Sequence, residues 1–110
     1  MPEKISQLEE FEELMKSKDT FFLLKHSLTC TISRAAFQEY QKFAEGHPDF
    51  PTYYLAVQDA RPLSNEIVAK FQVKHESPQA LLFSNGKVVW HASHWNITKK
   101  SLMNAIDGLQ

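Results

Sequence analysis

Apolar positions recur along the chain with two periods, and their alternation divides it into helices and strands. Ile5, Leu8, Phe11, Leu14 and Met15 fall at helical spacing among Glu9, Glu10, Glu12 and Glu13, which predicts an amphipathic helix over 3–17. FFLLK (21–25) is a continuous apolar run, the pattern of a strand covered on both faces. Helical period returns over 31–45, with Ala36, Phe37, Tyr40, Phe43 and Ala44 on one face and Gly46 and Pro48 as the stop. TYYLAV (52–57) predicts a second buried strand. After Arg61-Pro62, the residues Ile67, Val68 and Phe71 mark a short helix with Ser64 as its expected cap. QALLF (79–83) and KVVWHA (87–92) flank Asn85-Gly86, which supplies the two positive φ angles of a type I′ turn, so these segments predict an antiparallel hairpin. Thr98 is placed to cap a last helix bearing Leu102, Ala105, Ile106 and Leu109.

The predicted order is α, β, α, β, α, β, β, α. A βαβ unit, a helix, a hairpin and a final helix give an α/β fold: one mixed sheet of four strands, with helices on both faces. The first strand belongs inside that sheet. Open α/β sheets place their sites at the carboxyl ends of strands, here where residues 26–31 leave the sheet.

Composition narrows the classes. At 110 residues, 43% hydrophobic and 23% charged, the chain has the size of one globular domain spanning 1–110. Its formal charge of -1, with scattered lysines, offers no footprint for nucleic acid or an anionic membrane. Apolar runs fall far short of the ~20 residues that span a bilayer. The start, MPEKISQLEEFEELM, is acidic where a secretory signal is basic and then apolar, so the expected location is the reducing cytoplasm, where a free thiol persists.

That thiol is Cys30, the only cysteine in the sequence. It lies in HSLTCTIS, between an apolar strand and a predicted helix. Free cysteines are often buried filler, whereas a thiol at a helix N-terminus meets unpaired N–H groups and the positive end of the helix dipole, both of which favour a thiolate. Thr29, Thr31 and Ser33 add hydroxyls within reach of the sulfur. Ser33 has two readings: a donor to the Cys30 thiolate, or a partner for a backbone group in the first helical turn.

A strand, then Cys-x-x-Ser opening a helix, then Ser77-Pro78 before an Asn-Gly hairpin resembles the thioredoxin fold over nearly the whole chain, with an extra N-terminal helix. The closer resemblance is to the monothiol bacilliredoxins of the YtxJ type, bacterial proteins of the bacillithiol system. It rests on LKHSLTCTIS, VKHESPQA and FSNGKVVW. Those proteins usually read Thr-Cys-Pro-Ile-Ser, and this chain has Thr31 at the proline position; a β-branched threonine stiffens the turn less than proline does. The resemblance implies Cys30 as nucleophile, Ser33 where a dithiol protein holds its resolving cysteine, and Pro78 as a cis-proline facing the cysteine. With the Ser77 backbone turned toward Cys30, an extended segment would find a main-chain partner there. It further implies S-thiolated client proteins as substrates, a low-molecular-weight thiol (bacillithiol, by this resemblance) as co-substrate, and no other cofactor. The residues themselves leave glutathione and coenzyme A open as the small thiol. A redox-inactive binding protein using the groove beside Pro78 is the alternative.

The histidines add little beyond this. His26 and His75 lie near Cys30 and Pro78 in sequence, where an imidazolium would stabilise a thiolate or touch the substrate. His91 and His94, in WHASHW, read as an exposed strand residue and a loop residue, because stable zinc sites draw on more ligands than this spacing supplies; no metal is expected. Trp90 and Trp95 read as core or rim packing residues in preference to a ligand platform.

Overall fold

The computed structural model describes residues 2–109. Its elements are β1 (Glu3–Lys4), α1 (Leu8–Ser17), β2 (Thr20–His26), α2 (Thr31–Gly46), β3 (Thr52–Ala56), α3 (Arg61–Phe71), β4 (Gln79–Ser84), β5 (Lys87–Ser93), a 3-10 turn (His94–Asn96) and α4 (Lys99–Asp107). The strands form one sheet in the order β1-β3-β2-β4-β5. β1, β3 and β2 run parallel, while β4 and β5 are antiparallel.

The sheet has five strands where the apolar pattern predicts four. Residues expected to begin the first helix instead extend along β3, pairing Glu3 with Tyr53 and Lys4 with Tyr54. The helix starts later because Glu10 turns back on its own N-terminus: its carboxylate accepts from the Ser6 and Gln7 N–H groups, both at 3.0 Å. Those bonds hold its carboxyl below the usual carboxylate range and satisfy donors that a helix start leaves unpaired. Ile5, the first residue of the apolar series, is buried in the core beside Phe11 and not on the helix.

A second correction concerns Ser64. The third helix begins at Arg61, capped by the Ala60 position, with Pro62 in its first turn where a missing N–H does no harm. Ser64 therefore lies inside the helix and is buried. The Asn85-Gly86 turn has φ of 51° and 81°, as a type I′ hairpin requires. Thr98 caps α4, its hydroxyl accepting from the Ser101 N–H at 3.0 Å.

Period-two alternation sorts the β2 side chains onto two faces. Phe21 and Leu23 join Phe11, Leu55, Leu63, Ile67, Leu81 and Phe83 under α1 and α3. Phe22 and Leu24 join Tyr40, Phe43, Leu82 and Leu102 under α2 and α4. Tyr40 ties the layers together: its buried hydroxyl donates to the Tyr53 carbonyl at 2.7 Å and accepts from the Tyr53 N–H at 3.2 Å. Burial pushes its phenol well above the ordinary value. With β2 central and its neighbours fixed in register, the C-terminal end of this strand is a rigid platform for the 27–30 segment that leads to α2.

Candidate active site

Cys30 is the N-cap residue of α2, with extended backbone (φ -106°, ψ 127°), and its carbonyl accepts from the Arg34 N–H at 3.1 Å. Its side chain is half-buried and free. The first turn of α2 carries no acidic residue, so no carboxylate there competes for the unpaired N–H groups of the helix start. Thr29 and Thr31, on either side, are exposed.

Pro78 stands at the same end of the sheet. The β2–β4 register ends at Lys25↔Gln79, so Pro78 enters β4 at the level where the chain leaves β2 toward Cys30. Pro78 is buried and the Ser77-Pro78 bond is cis. Its carbonyl accepts from the His94 N–H at 3.1 Å, which extends the hairpin pairing one step beyond Gln79↔Ser93. Trp90 packs edge-on against Phe22, whereas Trp95 is 69% exposed and so is no part of the core. His91 is exposed on β5, and His94 lies in the 3-10 turn with Nε2 3.5 Å from a Glu76 carboxylate oxygen.

Ser33 is fully buried. Its Oγ accepts from the Ser27 N–H at 2.8 Å and lies 2.9 Å from His26 Nδ1. In the His26 tautomer protonated at Nε2, the serine proton goes to Nδ1 and none remains for the sulfur. Of its two expected roles the backbone one is realised, with a difference: the partner is in the loop before Cys30, not in the first helical turn. Ser33 thus fastens the 26–30 segment to α2.

His26 and His75 diverge. Strand alternation sends His26 to the α2 face, where its ring lies 4.7 Å from that of Phe37. Burial pushes its imidazole down, opposed in part by hydrogen bonding with Ser33, so at neutral pH it is no imidazolium for the thiolate. His75 sits on the other face, its Nδ1 3.4 Å from both Lys25 Nζ and Ser64 Oγ. Burial, then the Lys25 and Arg61 charges, push it down as well, against Glu76. The same end of the sheet also holds Lys25, which ends the apolar run FFLLK. The only sequence signal for it was that a charge closes a run expected to be covered on both faces.

Solved structures share this architecture. One, described as a candidate oxidoreductase with a thioredoxin fold, is 43% identical over 96% of this chain and 93% of that one, with a TM-score of 0.90. Mitochondrial thioredoxin 3 from Saccharomyces cerevisiae, in its oxidised form, is similar at 17% identity, covering 97% and 94%, TM-score 0.79. Malassezia sympodialis thioredoxin matches at 14%, covering 98% and 90%, TM-score 0.80; these two share the fold alone. A thioredoxin sheet with a half-exposed cysteine opening its central crossover helix defines a thiol oxidoreductase. The sequence profile of monothiol bacilliredoxin BrxC matches residues 3–102, and the chain belongs to that family. No helix among the described residues is long and apolar enough to cross a membrane.

Proposed function

We propose that this protein removes low-molecular-weight thiol caps, bacillithiol foremost, from protein cysteines by a one-cysteine mechanism in the cytoplasm. The observation that carries the reading is Cys30 itself: the sole thiol of the chain, half-exposed at the N-cap of α2. The Cys30 thiolate attacks the cap sulfur of a mixed disulfide. The bond between cap and client breaks, the client leaves as thiolate, and Cys30 carries the cap as its own mixed disulfide. A second small thiol then attacks the cap sulfur, restores the Cys30 thiolate and leaves as a symmetrical disulfide. Electrons come from that small thiol, and no other cofactor enters. The Ser77 backbone and the exposed Thr29 and Thr31 line the approach for the capped segment, with His26 and His75 behind the site.

Counting sulfurs makes this testable. Incubated with a capped client and no added thiol, the protein takes at most one cap onto Cys30 and stops; added bacillithiol restarts it. Intact-mass spectrometry follows both steps and names the cap. Cys30→Ser is expected to carry no cap and release no client. Repeated turnover without added thiol, or cap removal by Cys30→Ser, overturns the mechanism and leaves a binding protein on the same scaffold.

A further inference from the structure

Side chains from two other elements grip the segment that delivers Cys30. On one side Ser33 of α2 takes the Ser27 N–H at 2.8 Å. On the other stands Gln58, in the turn between β3 and α3, whose single amide group makes two bonds to the segment: Oε1 accepts from the Leu28 N–H at 3.1 Å, and Nε2 donates to Ser27 Oγ at 2.9 Å. The Leu28 N–H needs an acceptor, which fixes the direction of both bonds. Gln58 has a firm base. The Val57 N–H donates to the His26 carbonyl at 2.8 Å, continuing the β2–β3 pairing past His26↔Ala56, and the Asp59 and Ala60 N–H groups close on the Ala56 carbonyl at 2.9 and 3.0 Å. Val57 and Ala60 are buried, whereas Gln58 is exposed.

An exposed glutamine has water for its amide, and most side-chain hydrogen bonds at a surface go there or to a single backbone group. Gln58 instead spans two successive residues just upstream of the thiol. We infer that Gln58 is a positioning residue for Cys30: with Ser33 it holds Ser27 and Leu28 from two sides, so that the turn into α2 is set before a disulfide arrives. It touches no substrate. Two exposed hydrogen bonds add little to global stability. They matter more for rate, because the attacking sulfur must come into line with the bond it breaks, and a small displacement of a reacting atom costs far more in rate than in folding. Every disulfide exchange at this site passes through the same Cys30 sulfur, whether a client, a small thiol or a model disulfide is the partner.

The inference rests on the reading of Cys30 as the reacting thiol, and its test is arranged so the two fail separately. Three rates are measured in wild type, Gln58→Met and Gln58→Ala: uptake of a bacillithiol cap from a capped client, release of that cap by bacillithiol, and attack of Cys30 on dithiodipyridine, which forms a mixed disulfide and releases thiopyridone. Gln58→Met keeps the length of the side chain and loses both bonds. All three rates are expected to fall by a similar factor, about threefold to tenfold, while the melting temperature drops by at most about 5 °C. Amide exchange at Leu28 should quicken about tenfold or more, since its N–H has lost its acceptor. Ser27→Ala combined with Gln58→Met should be no slower than Gln58→Met alone, because both break the same bond between Ser27 and Gln58. Wild-type rates in the folded variants, or a loss confined to the client step or to the small-thiol step, overturn the positioning role. A wild type that reacts with dithiodipyridine yet takes no cap overturns the cap-removal reading instead, and the dithiodipyridine rates still decide the role of Gln58.

Discussion

At the scale of single residues, the site divides into what chemistry types reveal and what only packing reveals. Cys30 and Pro78 are legible in the sequence, because a lone cysteine among hydroxyls and a proline entering a strand are unusual wherever they occur. Ser33 is legible as a site residue, but its partners are not: the Ser27 N–H and His26 Nδ1 come to it only through the tight path of the 26–30 segment. Lys25 is the opposite case: it falls inside a run expected to be covered on both faces, yet nothing local says that its ammonium will be buried against Ser64 of α3 and His75. The Ser33 geometry also changes the expected effect of mutation. Ser33→Ala leaves a backbone N–H and an imidazole nitrogen without partners in a half-buried loop, so a loss of about 1–3 kcal/mol in urea unfolding is expected. Cap transfer should slow modestly through a looser segment. A Ser33→Ala protein as stable as wild type would mean that the Ser27 N–H finds another partner.

At the scale of elements, boundaries depend on which polar group claims the first turn. The apolar spacing from Ile5 is continuous with that of α1, so periodicity alone extends the helix backward; the Glu10 carboxylate, closing on Ser6 and Gln7, marks the true start. In α3 the serine looks like a cap by type, yet Pro62 already fixes the first turn upstream of it. The α2 start offers a direct experiment. Thr31 is the first helical residue, and Cys30 before it is extended, a conformation that a following proline favours. Thr31→Pro is therefore expected to raise stability by up to about 1 kcal/mol, by narrowing the unfolded ensemble. Thermal melts of the two proteins measure this. A lower melting temperature would show that the Thr31 N–H has a partner worth more than the gain, with the Cys30 sulfur the nearest acceptor to examine.

For the molecule as a whole, the sequence yields the layered α/β architecture and a central β2, because alternating periods and one Asn-Gly turn leave few ways to connect the chain. It does not yield the fifth strand, whose two residues are too few to carry a period. Global stability should also bear the mark of Lys25. Its ammonium is lowered from 10.5 to about 8: below that value both folded and unfolded chains are protonated and the burial penalty is in full force. Between there and the ordinary value the folded chain sheds a proton that the unfolded chain keeps, so stability rises with pH. Urea unfolding of wild type relative to Lys25→Met should show a relative gain of roughly 2 kcal/mol between about pH 7.5 and 10, the comparison removing the opposing titration of Tyr40. A flat difference would mean that the ammonium is solvated in the folded protein. The small strand β1 has a different consequence. Without it β3 would be the outermost strand, and TYYLA, with Tyr53, Leu55 and Ala56 buried and Tyr54 half-buried, would present open N–H and C=O groups to any passing chain. Glu3 and Lys4 occupy the register opposite Tyr53 and Tyr54, and the Ile5 N–H takes the Tyr54 carbonyl at 2.8 Å. Two charged residues of opposite sign, one tied to Asp59, thereby become the border of the sheet, and the apolar β3 is kept from lending its free edge to another chain.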